Sequence, residues 1–144
     1  MKRLLVLLLG ASALAAVPAD RPQEWRPPSR QMPSMPARAQ LQGAATGWAA
    51  AWLGSMAGAA GVAADGVRAA GEGGSDRAGF VRFTAGVFPV ATWSDRNGDG
   101  TCDMVEIFRE GARTHQLIDA DYDGSANVLR VYSASGELAR EERM

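Results

Sequence analysis

Two short segments near the C-terminus carry oxygen-bearing side chains at matching intervals around a glycine. The first segment covers residues 95–106 and the second covers residues 119–127. In each, a carboxylate or amide side chain occupies the first, third, fifth and ninth positions, and glycine occupies the sixth. This alternation directs several oxygens toward one centre, and the glycine permits the positive-φ bend that wraps the chain around it. The pattern predicts binding of up to two calcium ions by Asp95, Asn97, Asp99 and Asp103 in the first loop and by Asp119, Asp121, Asp123 and Asn127 in the second.

The first loop resembles the calcium-binding loop of the EF-hand family, whose pattern D-x-[DN]-x-[DN]-G-x5-E it matches in full. The resemblance implies two further ligands, the backbone carbonyl of Thr101 and a bidentate carboxylate from Glu106. The second loop is a degenerate copy, with Ser125 in place of Thr101 and Arg130 in place of Glu106. Because an arginine stands at the twelfth position in one copy, this position is also read as an outward-facing strand site.

The residues around the loops are patterned as short strands. Residues 87–94 carry Pro89 and two valines, which make a poor helix interior. Apolar and aromatic runs at residues 80–83, 104–108 and 128–132 are each followed within four residues by a glycine, at Gly86, Gly111 and Gly136, with intervals of 25 residues. We therefore expect a mainly β C-terminal domain, a meander of hairpin repeats with acidic loops at the junctions. The alternative is an α-helical, EF-hand-like pair.

A second resemblance concerns the end of the chain. Residues 131–142 read VYSASGELAREE, which is similar to the aromatic-x-x-x-Gly-x-Leu phrase of the YD-type repeats in bacterial surface and toxin-shell proteins. The resemblance implies β-hairpins here as well.

The remainder of the chain divides by composition. Residues 1–19 combine Lys2 and Arg3 with an apolar run and small residues, which predicts a signal peptide and export to the periplasm or the exterior. Prolines and arginines crowd the next segment, which predicts a disordered linker. The complete prediction is a signal peptide (1–19), a linker (20–38), an Ala/Gly-rich helix (39–70), a Gly-rich joint (71–79) and a β-hairpin repeat domain (80–144).

The Ala/Gly-rich helix allows two interpretations. Residues 39–64 contain no charged side chain, and Trp48, Trp52 and Met56 recur every four residues, which places them on one helical face. This helix either lies on the following domain or on a membrane surface, or it crosses the bilayer with help from its closely spaced glycines.

Charge and composition limit the classes of function. Residues 95–144 contain 11 acidic residues and 6 arginines, a net charge of −5 that repels nucleic acid. Cys102 is the sole cysteine, which excludes an internal disulfide, and the sequence contains no Ser-His-Asp set, zinc-type Cys/His spacing or phosphate loop. A β domain of 65 residues without a disulfide is marginally stable, so calcium is expected to brace it.

Together these patterns predict an exported, non-catalytic calcium-binding protein in which calcium braces a small β-repeat interaction domain. The alternative is a membrane-anchored surface protein, with residues 39–64 inserted, that displays the acidic domain. The sequence does not identify a protein partner.

Overall fold

An antiparallel sheet of seven strands forms most of the structure, a computed structural model that describes residues 25–41, 46–53, 62–69 and 76–144. The strands lie side by side in the order of the sequence. They are β1 (Val62–Ala69), β2 (Ala78–Ala85), β3 (Phe88–Ser94), β4 (Met104–Arg109), β5 (Ala112–Ile118), β6 (Val128–Tyr132) and β7 (Leu138–Arg143). The prediction of a mainly β meander preceded by a helix is confirmed, and the helical EF-hand-like pair is not favoured.

The hairpin turns and the acidic loops lie at opposite ends of the strands. Gly86, Gly111 and Gly136 occupy the turns after β2, β4 and β6, with φ values of 61°, 81° and 84°. Glycine is favoured there because other side chains are strained at positive φ. The acidic loops connect β3 to β4 and β5 to β6. Each repeat is therefore one hairpin and one loop. Both acidic loops lie at the same end of the strands.

The two faces of the sheet differ in polarity, because successive side chains of a strand point in opposite directions. A buried apolar row crosses β2 to β6 in register, formed by Val81, Trp93, Val105, Leu117 and Leu129. The opposite face carries a polar row in register across β2 to β7, formed by Arg82, Thr92, Glu106, Gln116, Arg130 and Glu141.

A short helix, α1 (Thr46–Leu53), packs on the apolar face. The Trp48 ring lies 5.5 Å from the ring of Phe83 and 5.6 Å from that of Trp93, measured between centroids. Leu53 is completely buried in the same cluster. The sheet therefore takes part of its core from the N-terminal half of the chain.

The prediction of one helix over residues 39–70 is wrong in its extent. Within this range the structure has three different elements, a 3-10 helix (Arg38–Leu41), α1 and β1. Val62 lies opposite Ala85 in the pairing of β1 with β2, and such pairing overrides the helical preference of alanine. The other residues of the range lie outside the described part of the chain. The described residues contain no helix of the length and apolarity needed to cross a membrane.

The domain boundaries also move toward the N-terminus. The predicted β domain begins at residue 80, whereas the sheet includes β1 and starts β2 at Ala78. The predicted signal peptide, the first residues of the linker and most of the Gly-rich joint lie outside the described residues.

Residues 30–38, here called the strap, run across the ends of the strands on the side where the acidic loops lie. Three isolated antiparallel bridges hold the strap there, pairing Gln31 with Ser125, Ser34 with Thr101 and Ala37 with Arg77. The bridging residues recur every three positions in the strap and every 24 positions in the sheet. The prediction of a disordered linker is therefore wrong for the described residues of that segment.

The prolines of the strap fit its hydrogen-bond pattern. Three residues of a polyproline-type chain advance about 9.3 Å, and two strands of a sheet span about 9.4–9.8 Å. The bridges show the same match, since one triplet of the strap spans one hairpin. The strap donates backbone hydrogen bonds from Met32, Met35 and Arg38, whereas Pro33 and Pro36 only accept. The missing N–H of proline falls where no donor is needed.

Candidate metal centre

The two acidic loops fold through corresponding hydrogen bonds between side chains and backbone. At the first loop position, Asp95 Oδ2 accepts from the N–H of Gly100 at 2.8 Å, and Asp119 Oδ2 accepts from the N–H of Gly124 at 2.8 Å. Both glycines have positive φ values, 87° and 88°. The acidic side chain and the glycine together turn the chain back on itself at the centre of each loop.

The fifth loop position repeats in the same way. Asp99 Oδ1 accepts from the N–H of Thr101 at 2.8 Å, and Asp123 Oδ1 accepts from the N–H of Ser125 at 2.8 Å. Asn97, at the third position of the first loop, is bonded to Asp99 through both ends of its amide, at 3.0 and 3.1 Å. Thr101 and Ser125 are also the residues that bridge to the strap.

The ninth loop position closes each loop. Asp103 accepts hydrogen bonds from the N–H of Arg96, and Asn127 Oδ1 accepts from the N–H of Ala120 at 3.1 Å. The Asn127 amide also donates to Asp121 at 3.0 Å. This position therefore holds the loop together in both copies.

Each loop gathers three carboxylates. In the first loop, Asp95, Asp99 and Asp103 each offer one oxygen, and these oxygens lie within 4.8 Å of one another. Asp119, Asp121 and Asp123 form the corresponding group in the second loop. Six of the eleven predicted metal ligands are thus brought together in two groups that could hold a metal ion.

The second group contains an unsatisfied buried oxygen. Asp119 is 1% exposed, and its Oδ1 has no hydrogen-bond partner within the part of the chain that the structure describes. The pKa of Asp121 is raised, mainly because a proton on this carboxyl would form a hydrogen bond with Asp119. The negative charge of Asp123 raises it further. A divalent cation would satisfy the same oxygen without a proton.

The first group is compensated by its own backbone. Asp95 accepts hydrogen bonds on both carboxylate oxygens, from the N–H groups of Gly98 at 2.7 Å and Gly100 at 2.8 Å. Burial raises the pKa of Asp103, and the hydrogen bond from the N–H of Arg96 partly offsets this rise. The two loops therefore share a fold but differ in how much of their charge is balanced.

Glu106 does not join the acidic group of the first loop. Its carboxylate accepts hydrogen bonds from Thr92 at 3.0 Å, Arg113 at 2.9 Å and Gln116 at 3.2 Å, all within the polar row or beside it. The twelfth position lies inside β4, where side-chain alternation directs it to the open face of the sheet. The ligand role implied by the EF-hand resemblance is therefore not supported for Glu106.

Arg96 connects the two loops, which the sequence pattern did not indicate. Its guanidinium donates to the carbonyl of Asp119 at 3.3 Å, lies 5.4 Å from the centre of the Tyr122 ring and is 4.0 Å from the Asp103 carboxylate. A backbone hydrogen bond of 2.8 Å from Asp119 to Asp103 reinforces the connection. Side-chain and backbone contacts therefore join the two loops.

Cys102 is a packing residue in this geometry. The side chain is completely buried, and its thiol donates to the carbonyl of Met104 at 3.1 Å. Burial raises the pKa of the thiol to about 12, so it remains protonated at neutral pH. A protonated thiol is neither a good metal ligand nor a good nucleophile.

No protein-family model matches this chain, and no match was found among curated proteins or solved structures. The assignment of function therefore depends on the chemistry of the loops.

Proposed function

We propose that this protein is an exported, non-catalytic calcium-binding protein in which calcium braces a small β-repeat interaction domain. The observation that carries the proposal is the buried Asp119 carboxylate, whose Oδ1 has no hydrogen-bond partner among the described residues and which belongs to a group of three carboxylates. Leaving such an anion uncompensated is costly, and a bound cation removes the cost.

The chemistry of the donors favours calcium. Both groups consist of carboxylates, and the Asn97 amide and the backbone carbonyls of Thr101 and Ser125 supply further oxygens in the EF-hand pattern. Calcium accepts six to eight oxygen ligands in flexible geometry, whereas magnesium requires a compact octahedron. Zinc and copper prefer nitrogen or sulfur donors, which neither group contains.

Calcium would act as a brace because the loops join neighbouring hairpins. The loops connect β3 to β4 and β5 to β6, and Arg96 ties one loop to the other. An ion that binds only the folded loops stabilises the whole sheet, by about 1.4 kcal/mol per site when free calcium is ten times the dissociation constant. Extracellular calcium modules bind at about 10⁻⁴ to 10⁻³ M, which fits export.

Export is supported by the sequence of residues 1–19, which has the charge and apolar pattern of a signal peptide. The acidic character of residues 95–144 supports partners other than nucleic acid. The absence of a catalytic constellation in the sequence supports a binding role.

Calorimetric titration of the full chain with calcium and, separately, with magnesium tests this function. We expect two calcium ions per chain and weaker binding of magnesium. Asp123→Asn should remove one calcium site, because it deletes a ligand charge and retains the oxygen that accepts from Ser125. A titration without heat or stoichiometric binding up to about 10 mM calcium, well above the range of extracellular modules, would refute the proposal.

A further inference from the structure

Gly124 bonds both to the acidic group of the second loop and to the strap. The N–H of Gly124 donates to the Asp119 carboxylate at 2.8 Å, and the carbonyl of Gly124 accepts from the N–H of Met32 at 2.9 Å. Two residues further along, the N–H of Ala126 donates to the carbonyl of Arg30 at 2.7 Å. The backbone that forms the acidic group therefore also holds the strap.

The first loop holds the strap through corresponding atoms. The N–H of Gly100 donates to Asp95, and the carbonyl of Gly100 accepts from the N–H of Met35 at 2.9 Å. The N–H of Cys102 donates to the carbonyl of Pro33 at 2.9 Å. Both loops thus present the same peptide groups to successive triplets of the strap.

The remaining backbone contacts of the strap lie at its C-terminal end, where Arg38 donates to Asp76, the Pro36 carbonyl accepts from Ala78, and the Met35 carbonyl accepts from Arg77 at 2.6 Å. Gln31 and Ser34 are exposed, and the two prolines contribute no backbone donor. The apolar anchors are Met32, which is 4% exposed, and Met35, which is fully buried. Near Met32, the backbone bonds of the strap go to the second loop alone, to Gly124 and Ala126.

We propose that an ion in the second loop controls the docking of the strap, so that the metal-loaded protein holds residues 30–38 against the sheet and the metal-free protein releases the part near Met32. This inference rests on the proposed function. Without an ion, the unpartnered Asp119 oxygen and its two neighbouring carboxylates favour an opened loop. Opening moves Gly124 and breaks its bond to Met32.

The two loops differ in how their first aspartate is hydrogen-bonded, so release of the strap should be confined to the part near Met32. Both Asp95 oxygens accept backbone hydrogen bonds, so the first loop retains its shape without an ion. The bond from Met35 to Gly100 should therefore depend less on metal than the bond from Met32 to Gly124.

Amide hydrogen exchange of the full chain, in calcium and in chelator, tests the inference. The N–H of Met32 should exchange about tenfold faster in chelator than at calcium ten times the dissociation constant. The amides of β4 and β5 should keep their protection, and the change at Met35 should be smaller.

Two matched variants assign the effect to the second loop. Asp99→Asn and Asp123→Asn alter the same position in the two loops, where both side chains are exposed and each accepts a backbone hydrogen bond that asparagine can also accept. Asp99 accepts in addition from the exposed Asn97 amide. In calcium, Asp123→Asn should release Met32 as chelator does, whereas Asp99→Asn should leave Met32 protected.

The outcomes separate this inference from the proposed function. If calorimetry shows calcium binding while Met32 exchanges at the same rate with and without calcium, control of the strap is wrong and calcium binding stands. If no calcium binds, both fail. Equal loss of protection in β4, β5 and the strap would also reject the inference, because it would indicate general unfolding.

Discussion

At the scale of single residues, Asp95 and Asp119 occupy the same position of the repeat but differ in the number of hydrogen bonds that their carboxylates accept. Asp95 accepts two backbone hydrogen bonds, whereas Asp119 accepts one from Gly124 and has a buried oxygen without a partner among the described residues. The first carboxylate is therefore mainly a fold determinant, and the second is mainly poised for a cation.

This difference predicts a metal-independent cost for Asp95→Ala. The substitution leaves the N–H groups of Gly98 and Gly100 without their acceptor, so the free energy of unfolding should fall by about 1–3 kcal/mol even in chelator. Denaturant unfolding in chelator measures it, with Asp99→Asn as a control that should change stability by less than about 0.5 kcal/mol. Unchanged stability of Asp95→Ala would contradict the structural role assigned to this carboxylate.

Glu106 provides a second prediction, because the EF-hand resemblance and the structure disagree about it. Glu106→Gln should leave calcium affinity within about twofold of the unmodified chain, since the carboxylate faces Arg113 and Gln116 and not the loop. Asp99→Asn should weaken the first site by about tenfold or more, equivalent to about 1.4 kcal/mol. A large loss of affinity in Glu106→Gln, measured by calorimetry, would restore Glu106 as a ligand.

The buried thiol of Cys102 predicts a dependence on alkaline pH. Its pKa is raised from 9.0 to about 12 by burial, so between these values the unfolded chain loses a proton that the folded chain retains. The free energy of unfolding should therefore fall as pH rises through this range, by up to about 1.4 kcal/mol per unit. Urea unfolding at several pH values measures the slope, which should be shallower in Cys102→Ala; equal slopes would contradict the assignment.

The sequence predicted the acidic groups and left the twelfth position open between a ligand and an outward-facing strand site, of which the structure has the second. Ligand spacing within nine residues is set by local turns, which side chains such as Asp95 and Asp99 form with their own backbone. The direction of Glu106 is set instead by strand alternation in β4, which a loop pattern does not contain.

At the scale of elements, the hairpins were predictable and the strap was not. Gly86, Gly111 and Gly136 mark turns that depend on local conformation, and the structure places all three at positive φ. The strap depends on pairing between distant segments, such as Gln31 with Ser125. Its prolines give no local indication of that partner.

The strap yields a prediction about its anchor. Met35→Ala should lower the free energy of unfolding by about 2–5 kcal/mol, because Met35 is fully buried and its loss leaves a cavity beside the first loop. Gln31→Ala is the matched control in the same segment, since this exposed side chain should contribute less than about 0.5 kcal/mol. Equal stabilities of the two variants in denaturant unfolding would show that the strap does not contribute to the core.

At the scale of the whole molecule, the sheet relies on cover from the N-terminal half of the chain. Trp25 donates from its indole to the carbonyl of Trp52 at 3.0 Å and lies 5.6 Å from the ring of His115, which brings the N-terminal segment, α1 and β5 together. The sequence divided the chain at residue 79, because composition changes there. The core contains residues from both sides of that boundary, such as Leu53 and Val105. Composition alone does not reveal such long-range packing.

The exposed edge strand β7 affects whether the sheet can pair with further strands. The last strand, Leu138–Arg143, is largely exposed and carries Arg140, Glu141, Glu142 and Arg143. Charged side chains on an edge strand oppose pairing with further strands. The charges of β7 therefore oppose extension of the sheet at this edge.

The most direct test of calcium as a structural brace is the free energy of unfolding of the full chain at a series of free calcium concentrations. Above the dissociation constant, we predict a rise of about 1.4 kcal/mol per tenfold increase in calcium for each site. Asp123→Asn should lower that slope by the contribution of one site. An unfolding free energy that stays constant from chelator to about 10 mM calcium, beyond the range of extracellular calcium modules, would contradict the account.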